Sequence, residues 1–232
     1  MNGSQQMMTE QEWLACDDVD QLIDHHKETV SDRKWRLFAC GCCRENWNWM
    51  TDRRSRQGVT VAEKLADKLI PDREADLARE GTAEAWTTVW GDGWHVYQTA
   101  RAAHFSLSSN LDHVLLAPSE THNAWLNAVR DGIVRHPMED VESQVKARQT
   151  SLLRDIVGNP FRPTTVEASW STPTVVSFAR VIYEQRTFEE LPILADALEE
   201  AGCQNQEILQ HCRSGGLHVR GCWVLDLLLG KE

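Results

Sequence analysis

The chain has 232 residues, 41% of them hydrophobic and 25% charged, with a formal net charge of −11. That balance suits a globular domain and excludes a disordered chain or one that coats nucleic acid or anionic membrane with its whole surface. Nothing in it is apolar over the roughly 18 residues needed to span a bilayer, so no membrane partner is expected.

The opening MNGSQQMMTEQEW has neither a basic start nor an apolar stretch of the export-signal kind. Residues 1–8 are expected to form a disordered extension. Thr9 and Glu12 then make a capping box for a short helix, and Asp17 or Asp18 caps a second through Leu22, Ile23 and His26. Ser31-Asp32 opens a third helix over residues 32–50, and Thr51-Asp52 a fourth, with Val59, Val61, Ala62, Leu65 and Leu69 on one buried face. An Ala- and Glu-rich helix follows Pro71-Asp72 and leads towards Trp86 and Trp90. Gly91-Asp92-Gly93 breaks it before a run from Trp94 to Phe105. LDHVLLAP within residues 106–118 fits helix or extended chain. Helical patterns return at 119–134 and 140–156, and after GNPFRPTT (158–165) at 173–185, 188–201, 205–213 and 219–229. The expected fold class is all-α: a compact multi-helix domain of about ten helices with little or no β structure. An N-terminal part (9–157) and a C-terminal part (158–232) pack together within it.

Seven cysteines is an odd number, and in a chain of this size without an export signal they read as reduced thiols in the cytoplasm. Three fall within FACGCCR (residues 38–44). On a helical wheel Trp35, Phe38, Ala39, Cys42, Asn46 and Trp49 form one stripe, which makes Cys42 a small buried hydrophobe. Cys40 and Cys43 lie on its flank beside Arg36, Arg44 and Trp47. At i and i+3 they supply two ligands at most, so a zinc ion needs two more from Cys203, His211, Cys212, His218 and Cys222. That spacing is not that of a finger or ribbon, and plain core packing is preferred: no cofactor is favoured, and zinc is the one these residue types admit. The third reading is a reactive thiol at Cys40 or Cys43, its thiolate favoured by the neighbouring arginines.

Charge is uneven along the chain. Residues 31–57 carry seven Lys or Arg against three acids, a local +4 that leaves −15 for the rest. Arg33, Arg36, Arg44, Trp47, Arg53, Arg54 and Arg56 therefore define a candidate interaction surface, since Arg and Trp most often anchor interfaces. The same segment is the candidate contact for nucleic acid, with phosphate gripped by arginine and bases stacked on tryptophan, although a solvated flank is the preferred account. Ten tryptophans pad a helical core, and any that lie exposed mark a binding surface.

Other motifs carry little. Asp24-His25-His26 spells the DHH of metal-dependent phosphoesterases but sits in a helical pattern rather than after a strand. His95, His104, His113 and His122 recur every nine residues, a step that turns a helix by half a revolution and cannot line one face. No HExxH, P-loop, GxSxG or dinucleotide fingerprint is present.

MTEQEWLACDD, SDRKWRLFACGCCR, LLRDIVGNPFRP, RTFEELPILADALEEAGC and ILQHCRSGGLHVRGCWVLDLLLGKE together resemble a paralogous family of uncharacterised bacterial proteins. Its members share a TEAEWL-like start, an ACACCR-like cysteine cluster and an HVRGCWVVDLLLGK-like end. The resemblance covers both ends of the chain and not residues 70–140. It implies a helical bacterial module and brings no catalytic residue with it. Gly41 departs from the family's more frequent alanine. The function expected on these grounds is a non-catalytic protein-interaction module, a subunit or regulator whose partner is another protein. The alternatives are a cysteine-based enzyme or redox sensor using Cys40 or Cys43, and a nucleic-acid-binding accessory subunit using residues 31–57.

Overall fold

Local capping chemistry sets the starts of the first helices. In the computed structural model, which describes residues 8–231, the Thr9 hydroxyl accepts the Glu12 N–H at 3.3 Å while Glu12 Oε2 accepts the Thr9 N–H at 2.7 Å. This capping box opens α1 (Glu10–Ala15). Asp18 caps α2 (Val19–His26), Ser31 caps α3 (Asp32–Glu45) and Asp52 caps α4 (Arg53–Ala66). There follow α5 (Asp72–Thr88), α6 (Trp94–Ser106), α7 (Leu111–Val114), α8 (Ala117–Arg130), α9 (Met138–Val157), α10 (Pro173–Gln185), α11 (Leu191–Glu200), α12 (Gln206–Arg213) and α13 (Trp223–Leu229). Three short 3-10 turns complete the elements, and there is no strand among the described residues. The all-α expectation holds.

Element ends differ from the sequence pattern in three places, each with a local cause. α3 stops at Glu45 because the buried Asn46 turns its side-chain amide back onto the Cys42 carbonyl (2.9 Å), and a 3-10 turn at Trp47–Trp49 follows. Leu69 lies beyond α4, after Lys68 at φ 56°, and is 64% exposed rather than on the buried face. α13 begins only at Trp223, since Gly215 and Gly221 take positive φ in a loop spanning 214–222. LDHVLLAP is helical, forming α7 and leading into α8.

α3 is the axis of the molecule. It packs against α4, α6, α7, α8 and α9, and from Leu37 to Cys43 every residue is buried. Its one stripe joins Trp13, Leu22, Leu152 and Ile156; another joins Val59, Ala62, Ala103 and Leu107. The C-terminal helices α10–α13 build their own apolar cluster around Tyr183, Leu191, Leu198 and Leu225. The loop 214–222 docks that part onto α3: a Cβ on Gly41 would stand 3.3 Å from Val219, and Gly221 lies directly against Leu37. Buried ions reinforce the seam. The Arg33 guanidinium bonds both Asp67 and Asp226, and Tyr183 and Lys231 also meet Asp67.

Candidate metal centre

α9 ends in the run LLRDIV, where Leu152, Leu153 and Ile156 face the core and carry Asp155 inwards with them. Its carboxylate is 3% exposed. A buried carboxylate must be neutralised or fully hydrogen-bonded, and the docking loop supplies the partners. Oδ2 accepts the Val219 N–H at 3.0 Å, His218 Nδ1 stands 2.6 Å from Oδ1, and His211 Nε2 from α12 stands 3.2 Å from Oδ1. The Cys222 thiol, fully buried, lies 3.2 Å from the same His211 Nε2. One ligand atom from each of Asp155, His211, His218 and Cys222 thus falls within 4.8 Å of the others. Among the described residues this is the one such group of metal-ligating type.

Burial alone would raise the Asp155 carboxyl, but hydrogen bonds from His211 and His218 outweigh it and hold the group ionised below its ordinary range. Burial first, and the Asp155 charge second, push the Cys222 thiol well above its ordinary value, so a cation is what would turn it into a thiolate. His211 is oriented from behind, its Nδ1 accepting the Trp223 indole N–H at 3.1 Å. His218 Nε2 is buried with no hydrogen-bond partner. On one side the centre borders a groove of about 890 Å³, whose walls include Trp13, Val157, His211, Trp223 and Leu227.

His211, His218 and Cys222 belong to the zinc candidates read from the sequence; the other candidates lie elsewhere. Cys203 and Cys212 fill the C-terminal apolar cluster. Cys40 and Cys43, placed by the wheel on an arginine-lined flank, are 1% and 0% exposed against Met50, Val59 and Ala62, because α4 and α6 cover the side that the wheel leaves open. Burial and the neighbouring Cys43 push the Cys40 thiol up to about 12 despite Arg36, Arg44 and Arg186. Asp155 was not among the sequence candidates. A carboxylate inside an apolar run, with His211, His218 and Cys222 downstream, is the signal that could have found it.

The basic segment is largely turned inward. Arg33 is 10% exposed in its ion pairs, and Arg36 donates to the Ser106 and Ser108 carbonyls at 2.6 and 2.8 Å. Arg44 pairs with the buried Glu63, which Arg186 also meets, and lies 4.0 Å over the Trp47 ring. Arg56 reaches the Trp47 carbonyl, Arg54 pairs with Asp52 and Glu84, and Arg53 is exposed. The exposed tryptophans lie instead at the α5–α6 corner, where Trp90 and Trp94 are 60% and 52% exposed and contact each other edge to face. Compared with known protein families, curated proteins and solved structures, the chain matches none.

Proposed function

We propose that the chain is a non-catalytic helical module organised by a single zinc ion at Asp155, His211, His218 and Cys222. The observation that carries the reading is the convergence of an oxygen, two imidazoles and a thiol, from α9, α12 and the loop before α13, within 4.8 Å. Ligands on a tetrahedral zinc at 2.0–2.3 Å sit about 3.3–3.7 Å from one another; two of the separations here are 3.2 Å, and the third, the 2.6 Å hydrogen bond from His218 Nδ1 to Asp155 Oδ1, must open by about 0.7 Å to admit the ion. The mixture of imidazole, carboxylate and thiolate selects zinc over the oxygen-preferring magnesium and calcium. Four protein donors complete that shell and leave no position for substrate or water, the arrangement of structural zinc. Because Cys222 must lose its proton to bind, affinity rises with pH.

Protein prepared without chelator or histidine tag is expected to carry one zinc per chain by native mass spectrometry and elemental analysis, and an H218A/C222A variant none. A folded wild-type chain that stays metal-free in excess zinc refutes the reading. The second reading, docking to another protein, draws support from Trp90 and Trp94 and not from the inward-turned arginines. It predicts that a partner bound by the wild-type chain is lost from a W90A/W94A variant; undiminished binding removes that surface.

A further inference from the structure

The Trp223 indole sets a conflict at the centre. Its N–H donates to His211 Nδ1, so that nitrogen presents its lone pair and the neutral ring carries its proton on Nε2, facing Asp155 and Cys222. A metal ion takes the lone pair of Nε2. The imidazole proton then moves, by exchange with water, to Nδ1, and the His218 proton, which faces Asp155 on Nδ1, likewise moves to Nε2, while the Cys222 proton leaves to bulk solvent; zinc enters, one proton departs, and both imidazoles stay neutral. Nδ1–H and the Trp223 N–H are now two donors 3.1 Å apart with no acceptor between them. Metal-bound histidines ordinarily donate from the second nitrogen to a carboxylate or carbonyl, and here a donor stands in that place. Trp223 is also wedged from the other side. A Cβ on Gly158, itself at φ 72°, would lie 3.1 Å from the indole, so the ring has close backbone behind it and the groove beside it.

We propose that Trp223 is a latch on the metal centre: zinc entry through His211 breaks the indole hydrogen bond and re-seats the ring in the groove wall, so metal loading and groove shape are coupled. This rests on the reading that the four residues hold zinc. Trp223 is then a positioning residue that works against the metal, opposite in sign to an ordinary supporting contact.

The test is zinc affinity, measured by competition with a chromophoric chelator, in the wild-type chain and in W223F. The phenyl ring keeps the apolar wedge and removes the donor. W223F is expected to bind zinc about three- to tenfold more tightly, the worth of one neutral hydrogen bond. Independently of the variant, the backbone-assigned Trp223 indole 1H–15N signal of the wild-type chain is expected to shift on addition of one equivalent of zinc chloride. Weaker or unchanged affinity in W223F, or an unmoved Trp223 signal while zinc is bound, overturns the latch and leaves the zinc site standing. A wild-type chain that takes up no zinc overturns both.

Discussion

Replacing Arg33 by methionine is expected to destabilise the fold strongly. The guanidinium makes five hydrogen bonds of 2.7–3.0 Å: two to Asp67, two to Asp226 and one to the Tyr183 hydroxyl. Its side chain is 10% exposed, and those of Asp67 and Asp226 are 0% and 2% exposed. Methionine fills much of the volume but leaves two buried carboxylates with Lys34 and Lys231, each 3.2 Å away, as the remaining cations, and the Tyr183 hydroxyl as a neutral donor to Asp67. Removing one partner of a buried ion pair costs about 3–5 kcal/mol. For a chain of this length 1 kcal/mol moves the melting temperature by about 2–4 °C, so R33M should melt about 10 °C lower by circular dichroism. The physical origin has its own check. If the cost lies in the orphaned charges, then R33M/D67N/D226N recovers part of the loss. A melting temperature within about 2 °C of wild type for R33M, or a triple variant worse than R33M, refutes the reasoning.

Three further outcomes follow from the same packing. Cys40 and Cys43 should resist iodoacetamide at neutral pH until the chain unfolds, read by peptide mass spectrometry, while the half-buried Cys16 labels first; early labelling of Cys40 contradicts its burial. Thiols raised in the native state hold their protons after unfolded thiols, near pH 8.5, have lost theirs, so unfolding stability falls with rising pH above that point. Each such thiol contributes about 1.4 kcal/mol per pH unit until its own native value is reached, at about 12 for Cys40, and urea titrations at pH 7 and pH 10 measure the sum. Gly58→Ala should destabilise by about 1–2 kcal/mol, because its Cβ would stand 2.4 Å from the Thr82 methyl, an overlap whose cost exceeds the helix-propensity gain of about 1 kcal/mol. A G58A variant as stable as wild type shows that α4 and α5 can separate freely.

Local chemistry was legible in the sequence, and tertiary coverage was not. The Thr9/Glu12 box and the caps at Asp18, Ser31 and Asp52 stand where side-chain pattern puts them, since each depends on residues two or three apart. The wheel placed Trp35, Phe38 and Cys42 inside and was silent on what lies over Cys40 and Cys43, because burial of a second face is decided by helices elsewhere in the chain. The arginines of residues 31–57 show the same limit: their acid partners Glu63, Asp67 and Asp226 lie outside the segment, so its local +4 is answered across the fold. Three of the four centre residues were visible as ligand types near the C-terminus. Asp155 joins them from a distance of 56 residues in sequence through the docking of the 214–222 loop, which no local pattern encodes.

A helix surrounded on every side behaves as a gauge block. The distance between the axis of α3 and each neighbour is set by what α3 carries, and helix pairs span only about 8–10 Å between extremes. Ala39, Gly41 and the thiols of Cys40, Cys42 and Cys43 are small side chains, all buried, of the kind that lets neighbouring helices approach closely, with sulfur a little wider than a methyl group and softer than a branched chain. Width added at one of these positions displaces a neighbouring helix, and through Gly41 and Val219 it reaches the loop that carries His218 and Cys222. The cysteine-rich stretch thereby sets the calibre to which the rest of the molecule is built.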